Sequence, residues 1–163
     1  MNAPHEIIQA SRNVQLYDEE LQKEVYKIGI HTRNEMVPIE SLYDVALPIV
    51  QSGKFLVTFG SDHSITSTLV KAHLERWPSL KVLQFTSALR ADDPQWYVKV
   101  VDELPEHVYF TIDVSGINDG QDVMIVTREL TYRRNIVGFD MHGQTPADLC
   151  AKLIYKILGY VFQ

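Results

Sequence analysis

Five short runs of apolar residues, separated by longer amphipathic stretches, constrain the fold of this 163-residue chain more than any other feature. The runs are rich in Val, Ile, Phe and Tyr, and most are apolar on both faces. They are Tyr26–Ile30, Phe55–Phe59, Val82–Phe85, Val108–Val114 and Ile136–Phe139. Such runs are typical of strands in a parallel sheet that is covered on both sides. The sequence therefore predicts five strands of this kind.

The stretches between these runs have the spacing and the end signals of helices. Predicted helices are Ile39–Gln51, which is weakened by Pro48, then Ser64–Trp77, Asp93–Leu104, Gln121–Arg133 and a last helix that begins at Thr145. Alternating strands and helices predict an α/β fold, a three-layer α/β/α sandwich with a mostly parallel sheet. The length fits a single domain over residues 1–163.

Composition limits which classes of binding partner and which cellular compartment are expected for this chain. The formal net charge is −6, which argues against nucleic acid because phosphate binding needs a basic face. No apolar stretch reaches the ~18 residues of a membrane helix, so no membrane partner is expected. Cys150 is the only cysteine, and the start of the chain lacks the pattern of a signal peptide. These features predict a cytoplasmic protein.

Ligand sites in open parallel sheets lie at the carboxyl ends of the strands, and one strand end here carries a distinctive turn. Gly60-Ser61-Asp62-His63-Ser64 follows a predicted strand and opens a helix. The turn resembles the Gly-Gly-Asp/Glu-His-Ser motif of the arginase/agmatinase (ureohydrolase) family, in which the histidine binds manganese. Further segments resemble other parts of that family in the same order; they are Val82–Phe85, Val108–Asp113, Ile136–Asp140 and Ala151–Lys156. The resemblance implies a truncated arginase/deacetylase-like fold.

The departures from the family pattern decide what the resemblance implies for chemistry. Family members use two manganese ions that hold a hydroxide for attack on a guanidinium carbon. In this chain Thr86–Ala88 stand where the family has an Asp-Ala-His-x-Asp segment, and Ser115 replaces a ligand aspartate. Gly143 aligns with the glutamate that holds the substrate. Of the ligands that the resemblance implies, His63 and Asp113 remain, so we expect an inactive protein.

Four side chains at predicted strand ends are the candidate metal ligands. His63 is the first candidate, followed by Asp113, and Asp140 and His142 could complete a rebuilt site with one ion. The competing interpretation is that His63 forms hydrogen bonds in a polar pocket. Asp62 is interpreted as a cap at the helix N-terminus. The sequence predicts no catalytic or substrate-binding residue.

Three functions are compatible with this pattern. The first is a non-catalytic, ureohydrolase-like protein that needs no cofactor and acts as a homo-oligomer or by association with an active ureohydrolase. The second is a manganese-dependent, agmatinase-type hydrolase that cleaves a guanidino or amidine C–N bond with a reduced metal site. The third is a small-molecule binding module without turnover. The resemblance favours the first, because most of the ligand motifs have changed.

Overall fold

A sheet of four parallel strands forms the centre of the protein. The computed structural model describes residues 3–86, 100–117 and 120–163, without the side chain of residue 3. The strands of the sheet are β3 (Leu56–Gly60), β4 (Lys81–Thr86), β5 (His107–Asp113) and β6 (Asn135–His142). They lie in the order β3-β6-β5-β4 with parallel pairing throughout. The predicted α/β fold with a parallel sheet is confirmed.

Helices cover both faces of this sheet and complete three layers. The helices are α1 (Ala3–Ala10), α2 (Ile39–Gln51), α3 (Ser64–Leu74), α4 (Gln121–Arg133) and α5 (Ala147–Val161). Helices α1, α4 and α5 pack on one face, where Phe110, Ile112 and Phe139 are fully buried. Helices α2 and α3 pack on the other, against Tyr109 and Val137. Side chains alternate along β5, so this strand contributes to both cores.

The first predicted strand, Tyr26–Ile30, is wrong. Residues Val25–Ile28 form a 3-10 helix that ends at Gly29, whose φ of 88° lies in the left-handed region. Only Val25 is fully buried there, whereas Tyr26 and Ile30 are exposed. An apolar run without burial on both faces cannot be a central strand.

A short antiparallel ribbon lies just before this 3-10 helix. Strand β1 (Tyr17–Asp18) pairs with β2 (Lys23–Glu24). A 3-10 turn, Ser11–Asn13, connects α1 to this region. The sequence reading predicted neither the ribbon nor α1.

The helix predictions differ in outcome. Helix α4 has the predicted bounds, and α2 tolerates Pro48 in its last turn. Helix α3 ends at Leu74, before the predicted end. Of the predicted helix 93–104, residues 93–99 lie outside the described residues and 100–102 are helical. Within the described part of the chain, no helix combines the length and the apolar character needed to cross a membrane.

Candidate functional site

The carboxyl ends of the four strands place one residue of each strand in a row. Gly60 is in register with His142, His142 with Asp113, and Asp113 with Thr86. All strands of the sheet are parallel, so these ends lie at the same edge, where open α/β sheets bind ligands. Residues that the sequence singled out therefore meet at this edge.

His63 lies on the turn between β3 and α3 and is exposed. The turn is fixed by Asp62, whose Oδ1 accepts a hydrogen bond from the backbone amide of Ser64 at 2.8 Å. The Ser64 hydroxyl and its amide hold the pKa of Asp62 below its ordinary value. Asp62 thus has the capping contact expected of a carboxylate at a helix N-terminus. A Cβ at Gly60 would lie 2.7 Å from Ile65 Cδ1, so Ile65 packs closely against the backbone of the turn.

His142 is the buried histidine of this edge. Its side chain is 4% exposed, and Nε2 has no hydrogen-bond partner within the described residues. The ring lies 6.2 Å from the ring of His63, centre to centre, with an angle of 63° between the planes. The structure therefore brings together two of the predicted ligands, His63 and His142.

Asp113 is half-buried at the end of β5. Its Oδ1 accepts a hydrogen bond from the backbone amide of Ser115 at 2.9 Å. This contact orders the chain after β5. The carboxylate of Asp113 therefore already has a structural role next to the row of strand ends.

Asp140 lies one layer below the strand ends and is fully buried. Its Oδ2 accepts a hydrogen bond from the Tyr109 hydroxyl at 2.9 Å. Its Oδ1 accepts hydrogen bonds from Thr111 at 2.8 Å and from Thr66 at 3.0 Å. Burial raises the pKa of Asp140, and the bonds from Thr111, Tyr109 and Thr66 oppose that rise. Burial and the nearby Asp140 likewise raise the pKa of Tyr109.

Gly143, directly after β6, has a φ of 104°. A Cβ at this position would lie 2.7 Å from Asp113 Oδ1 and would also contact the Ser115 hydroxyl. Gln144 donates its backbone amide to the same hydroxyl at 3.3 Å. The position that the resemblance assigns to a substrate-binding glutamate is thus packed against the loop after β5.

The described donor groups at this edge do not form the carboxylate-rich ligand set of a dinuclear manganese centre. Among residues 3–86, 100–117 and 120–163, no three His, Cys, Asp or Glu side chains come close enough to hold one ion. Both oxygens of Asp140 accept hydrogen bonds from hydroxyl groups, as described above. The structure places the rings of His63 and His142 next to each other. Ligand roles stay predictions for all four candidates, which are His63, Asp113, Asp140 and His142.

The sequence reading missed the polar groups beneath the edge. Tyr109 and Thr111 alternate with apolar residues on β5, and this period-2 spacing is the signal that places them on one face with Asp113. Nothing in the sequence indicated that Thr66, on the first turn of α3, would reach the same carboxylate. The cluster of Tyr109, Thr111 and Thr66 around Asp140 is a tertiary feature.

His73 is a second buried histidine and lies outside the row of strand ends. The side chain is fully buried on α3, and its Nδ1 lies 2.7 Å from the carbonyl oxygen of Leu69. A side chain at Gly138 would overlap the ring of His73. Burial lowers the pKa of His73. Its spacing of four residues from Leu69 was the available signal, since residues at i and i+4 lie on one helix face.

Comparison with known proteins assigns the family. The profile of the Arginase family matches residues 1–99, which include the Gly60–Ser64 turn. This chain belongs to the arginase family. No curated protein sequence matches it significantly. Asp113, Asp140 and His142 lie beyond the matched region.

Solved structures of arginase-family proteins share the fold. Agmatine ureohydrolase of Thermoplasma volcanium is 18% identical, with a TM-score of 0.72 over 98% of this chain and 83% of that one. Formimidoylglutamase from Bacillus subtilis is 11% identical, with a TM-score of 0.71 over 98% and 79%. Arginase from Bacillus subtilis is 13% identical, with a TM-score of 0.70 over 96% and 91%. At these identities the likeness shows the fold alone.

Proposed function

We propose that this arginase-family chain keeps the ureohydrolase fold without the manganese-dependent hydrolysis of a guanidinium group. The observation that carries the proposal is the packing of Gly143 against Asp113 and Ser115. This packing affects substrate recognition, and the hydrogen bonds of Asp113 and Asp140 affect metal binding at the same edge of the sheet. The two effects are independent, and either would reduce activity.

Substrate recognition depends on a charged partner for the guanidinium. A planar guanidinium pairs best with a carboxylate, which accepts two parallel hydrogen bonds. Gly143 offers no side chain, and its left-handed backbone disfavours any other residue. A carboxylate there would also have to displace Asp113 and Ser115. The proposed consequence is weak binding of agmatine and arginine.

Within the part of the chain that the structure describes, the two candidate carboxylates at this edge, Asp113 and Asp140, already accept hydrogen bonds. Generation of a hydroxide at neutral pH needs an ion in a fixed coordination geometry. Carboxylates are the donors that manganese prefers. Asp140 is fully buried and accepts hydrogen bonds from three hydroxyl groups, while Asp113 accepts one from Ser115. These contacts support a protein that does not assemble the dinuclear centre.

A non-catalytic member would act through association, either as a homo-oligomer or with an active arginase-family enzyme. Single large apolar side chains are exposed at the surface, among them Met36 at 59% and Tyr132 at 69% exposure. Exposed apolar surface favours association when it is contiguous. Light scattering of the purified chain, alone and mixed with an active relative, tests this part separately.

The decisive assay for this function measures urea release from agmatine and arginine with excess manganese. The purified chain is compared with His63→Ala and with an active agmatinase as a positive control. We expect no urea above the background of the buffer. Manganese-dependent release that His63→Ala abolishes would refute the proposal. Thermal shifts with polyamines and guanidines test the binding-module alternative, since ligands of the native state raise its stability.

A further inference from the structure

A buried histidine joins helix α3 to the sheet, and one nitrogen of its ring lacks a hydrogen-bond partner among the described residues. His73 has no exposed surface. Its Nδ1 lies 2.7 Å from the carbonyl oxygen of Leu69, whereas its Nε2 faces the backbone of β6, where a Cβ on Gly138 would overlap it. We propose that His73 is a pH-sensitive switch whose protonation in mild acid releases helices α2 and α3 from the sheet.

The contacts of the His73 ring suit its neutral form. A neutral imidazole has one N–H group, and the carbonyl of Leu69 accepts it when the proton is on Nδ1. The rings of Tyr109 and Trp77 lie 4.8 Å and 5.9 Å away between ring centres. A second proton on Nε2 would point at Gly138 without an acceptor in the described part of the chain. A buried charge without a partner is costly, and the attraction of an aromatic face for a cation is smaller.

On the sheet side, the ionisable groups of the described strands do not pair with this ring. Tyr109 of β5 donates its hydroxyl to Asp140 of β6 at 2.9 Å. Both oxygens of Asp140 already accept hydrogen bonds from hydroxyl groups. His107 of β5 lies against Trp77, with ring centres 6.1 Å apart, and adds positive charge when it is protonated. These groups therefore leave a charge on His73 largely uncompensated.

On the helix side, the charged groups lie at the surface, away from the buried ring. Tyr43 of α2 donates its hydroxyl to Glu75 there, at 3.3 Å. Burial is the largest influence on His73 and lowers its pKa, and the bond to the Leu69 carbonyl opposes that shift in part. The exposed charged residues are Glu40 and Asp44 of α2, and Lys71, Glu75 and Arg76 at or just after the end of α3.

Helices α2 and α3 can leave the sheet as one unit. They contact each other more extensively than either contacts the sheet. Helix α3 reaches the sheet through His73 in its last turn, through the fully buried Leu69, and through Thr66, which donates to Asp140 at 3.0 Å. Proteins open in such cooperative pieces when the contacts that hold one piece are weakened. A charge on His73 weakens this interface at its centre.

Release of α3 would change the edge of the sheet where the strand ends meet. Thr66 lies seven residues before His73, about 10 Å along the helix. Its hydroxyl would leave Asp140, and the turn before α3 would carry His63 away from His142. The switch therefore connects a buried ring at one end of α3 to the strand ends at the other. It does not depend on the proposed loss of catalysis, since urea release and helix opening are measured separately.

The direction of the pH effect follows from the lowered pKa of His73. An unfolded histidine takes up its proton near pH 6.5, and the folded protein takes up this one only at lower pH. The stability of the α2–α3 layer is therefore fully present above about pH 6.5 and is lost as the pH falls toward the folded value. Asp140 has a raised pKa and acts in the opposite direction, so it cannot cause this loss.

Hydrogen exchange of the unmodified chain, followed by mass spectrometry across a pH series, provides the test. After correction for the intrinsic pH dependence of exchange, we expect the protection of α2 and α3 to fall below about pH 6.5, by up to about tenfold per pH unit. Protection of α4 and α5 should stay constant over the same range. Unchanged protection of α2 and α3, or an equal loss in all four helices, would overturn the proposal.

His73→Asn removes the titration, because the side-chain amide can donate to the Leu69 carbonyl but cannot take up a proton in this range. We expect exchange in α2 and α3 of this variant to be independent of pH after the same correction, even where it is faster overall. His31→Asn, which changes an exposed histidine, is the matched control and should keep the acid-induced opening. An acid-induced opening that persists in His73→Asn would assign the effect to another group and refute the switch. The measurement on the unmodified chain remains decisive if this variant does not fold.

Discussion

Gly143 shows how a single residue determines what the strand ends can hold. Its φ of 104° and its contact with the loop after β5 exclude a side chain on two separate grounds. Sequence comparison could suggest that a glutamate had been replaced. It could not show that Asp113 and Ser115 fill the space that a side chain at position 143 would need.

The cost of backbone strain at Gly143 can be separated from the cost of the steric contact when Gly29 serves as the control. Gly29 has a φ of 88°, and a Cβ there would meet nothing within 4 Å. We expect Gly29→Ala to lower the free energy of unfolding by about 1 kcal/mol, from backbone strain alone. Gly143→Ala should cost roughly 2–4 kcal/mol, because Asp113 must also move. Urea denaturation measures both, and equal losses would contradict the packing argument.

Asp140 is a buried carboxylate whose effect on stability depends on pH. Its pKa is raised in the folded state by burial, with opposing hydrogen bonds from Thr111, Tyr109 and Thr66. A raised pKa means that the folded protein holds the proton more tightly. The contribution to stability is then fully present below the unfolded pKa near 4 and is lost as the pH rises through the folded value.

Asp140→Asn removes this titration while it keeps the size of the side chain. We expect the stability difference, unmodified chain minus variant, to be largest below about pH 4 and to shrink above it, by at most about 1.4 kcal/mol per pH unit. Chemical denaturation across a pH series, with Asp122→Asn as an exposed control, measures this difference. A difference that stays constant with pH would show that folding does not change the pKa of Asp140 and would contradict this prediction.

Helix α5 holds the β1–β2 ribbon in place through specific side-chain contacts. Lys156 Nζ lies 2.6 Å from Asp18 Oδ1, and both side chains are largely buried. The Tyr160 hydroxyl donates to Glu20 at 2.6 Å. A Cβ at Gly159 would overlap Leu21, so the ribbon approaches the helix closely at a glycine. Two polar contacts and one close apolar contact therefore hold the ribbon against the helix.

Gly159→Ala tests that close approach. In an open helix this change would stabilise by roughly 0.5–1 kcal/mol, because glycine is a poor helix former. Here we expect destabilisation, since the new methyl group meets Leu21 and lies 3.0 Å from Val25 Cγ2. In a Leu21→Ala background the same change should become stabilising. A double-mutant cycle of unfolding free energies without coupling would contradict the contact.

The four strands of the sheet were predictable from their apolar runs, whereas the elements held by polar contacts were not. The runs Phe55–Phe59, Val82–Phe85, Val108–Val114 and Ile136–Phe139 correspond to the four strands of the sheet. The run Tyr26–Ile30 has a similar composition but is partly exposed beside α5, where Tyr155 bonds to the Tyr26 amide. Composition alone does not distinguish these two situations.

At the scale of the whole molecule, the order of strands and helices was predictable, whereas the chemistry of the strand ends was not. Parallel strands bring their carboxyl ends to one edge, so the neighbourhood of His63, Asp113 and His142 follows from topology. Which of these side chains face one another depends on packing. Three hydroxyl groups bond Asp140 below the edge, while His142 contacts His63.

The central claim is that an arginase-family fold exists here without the family's manganese chemistry, and manganese binding tests it most directly. Free Mn²⁺ gives a six-line electron paramagnetic resonance signal that weakens when the ion binds protein carboxylates. We expect that the purified chain leaves this signal unchanged, with fewer than about 0.1 bound ions per chain at micromolar manganese. Loss of signal equivalent to about two ions per chain, reversed in His63→Ala, would contradict it.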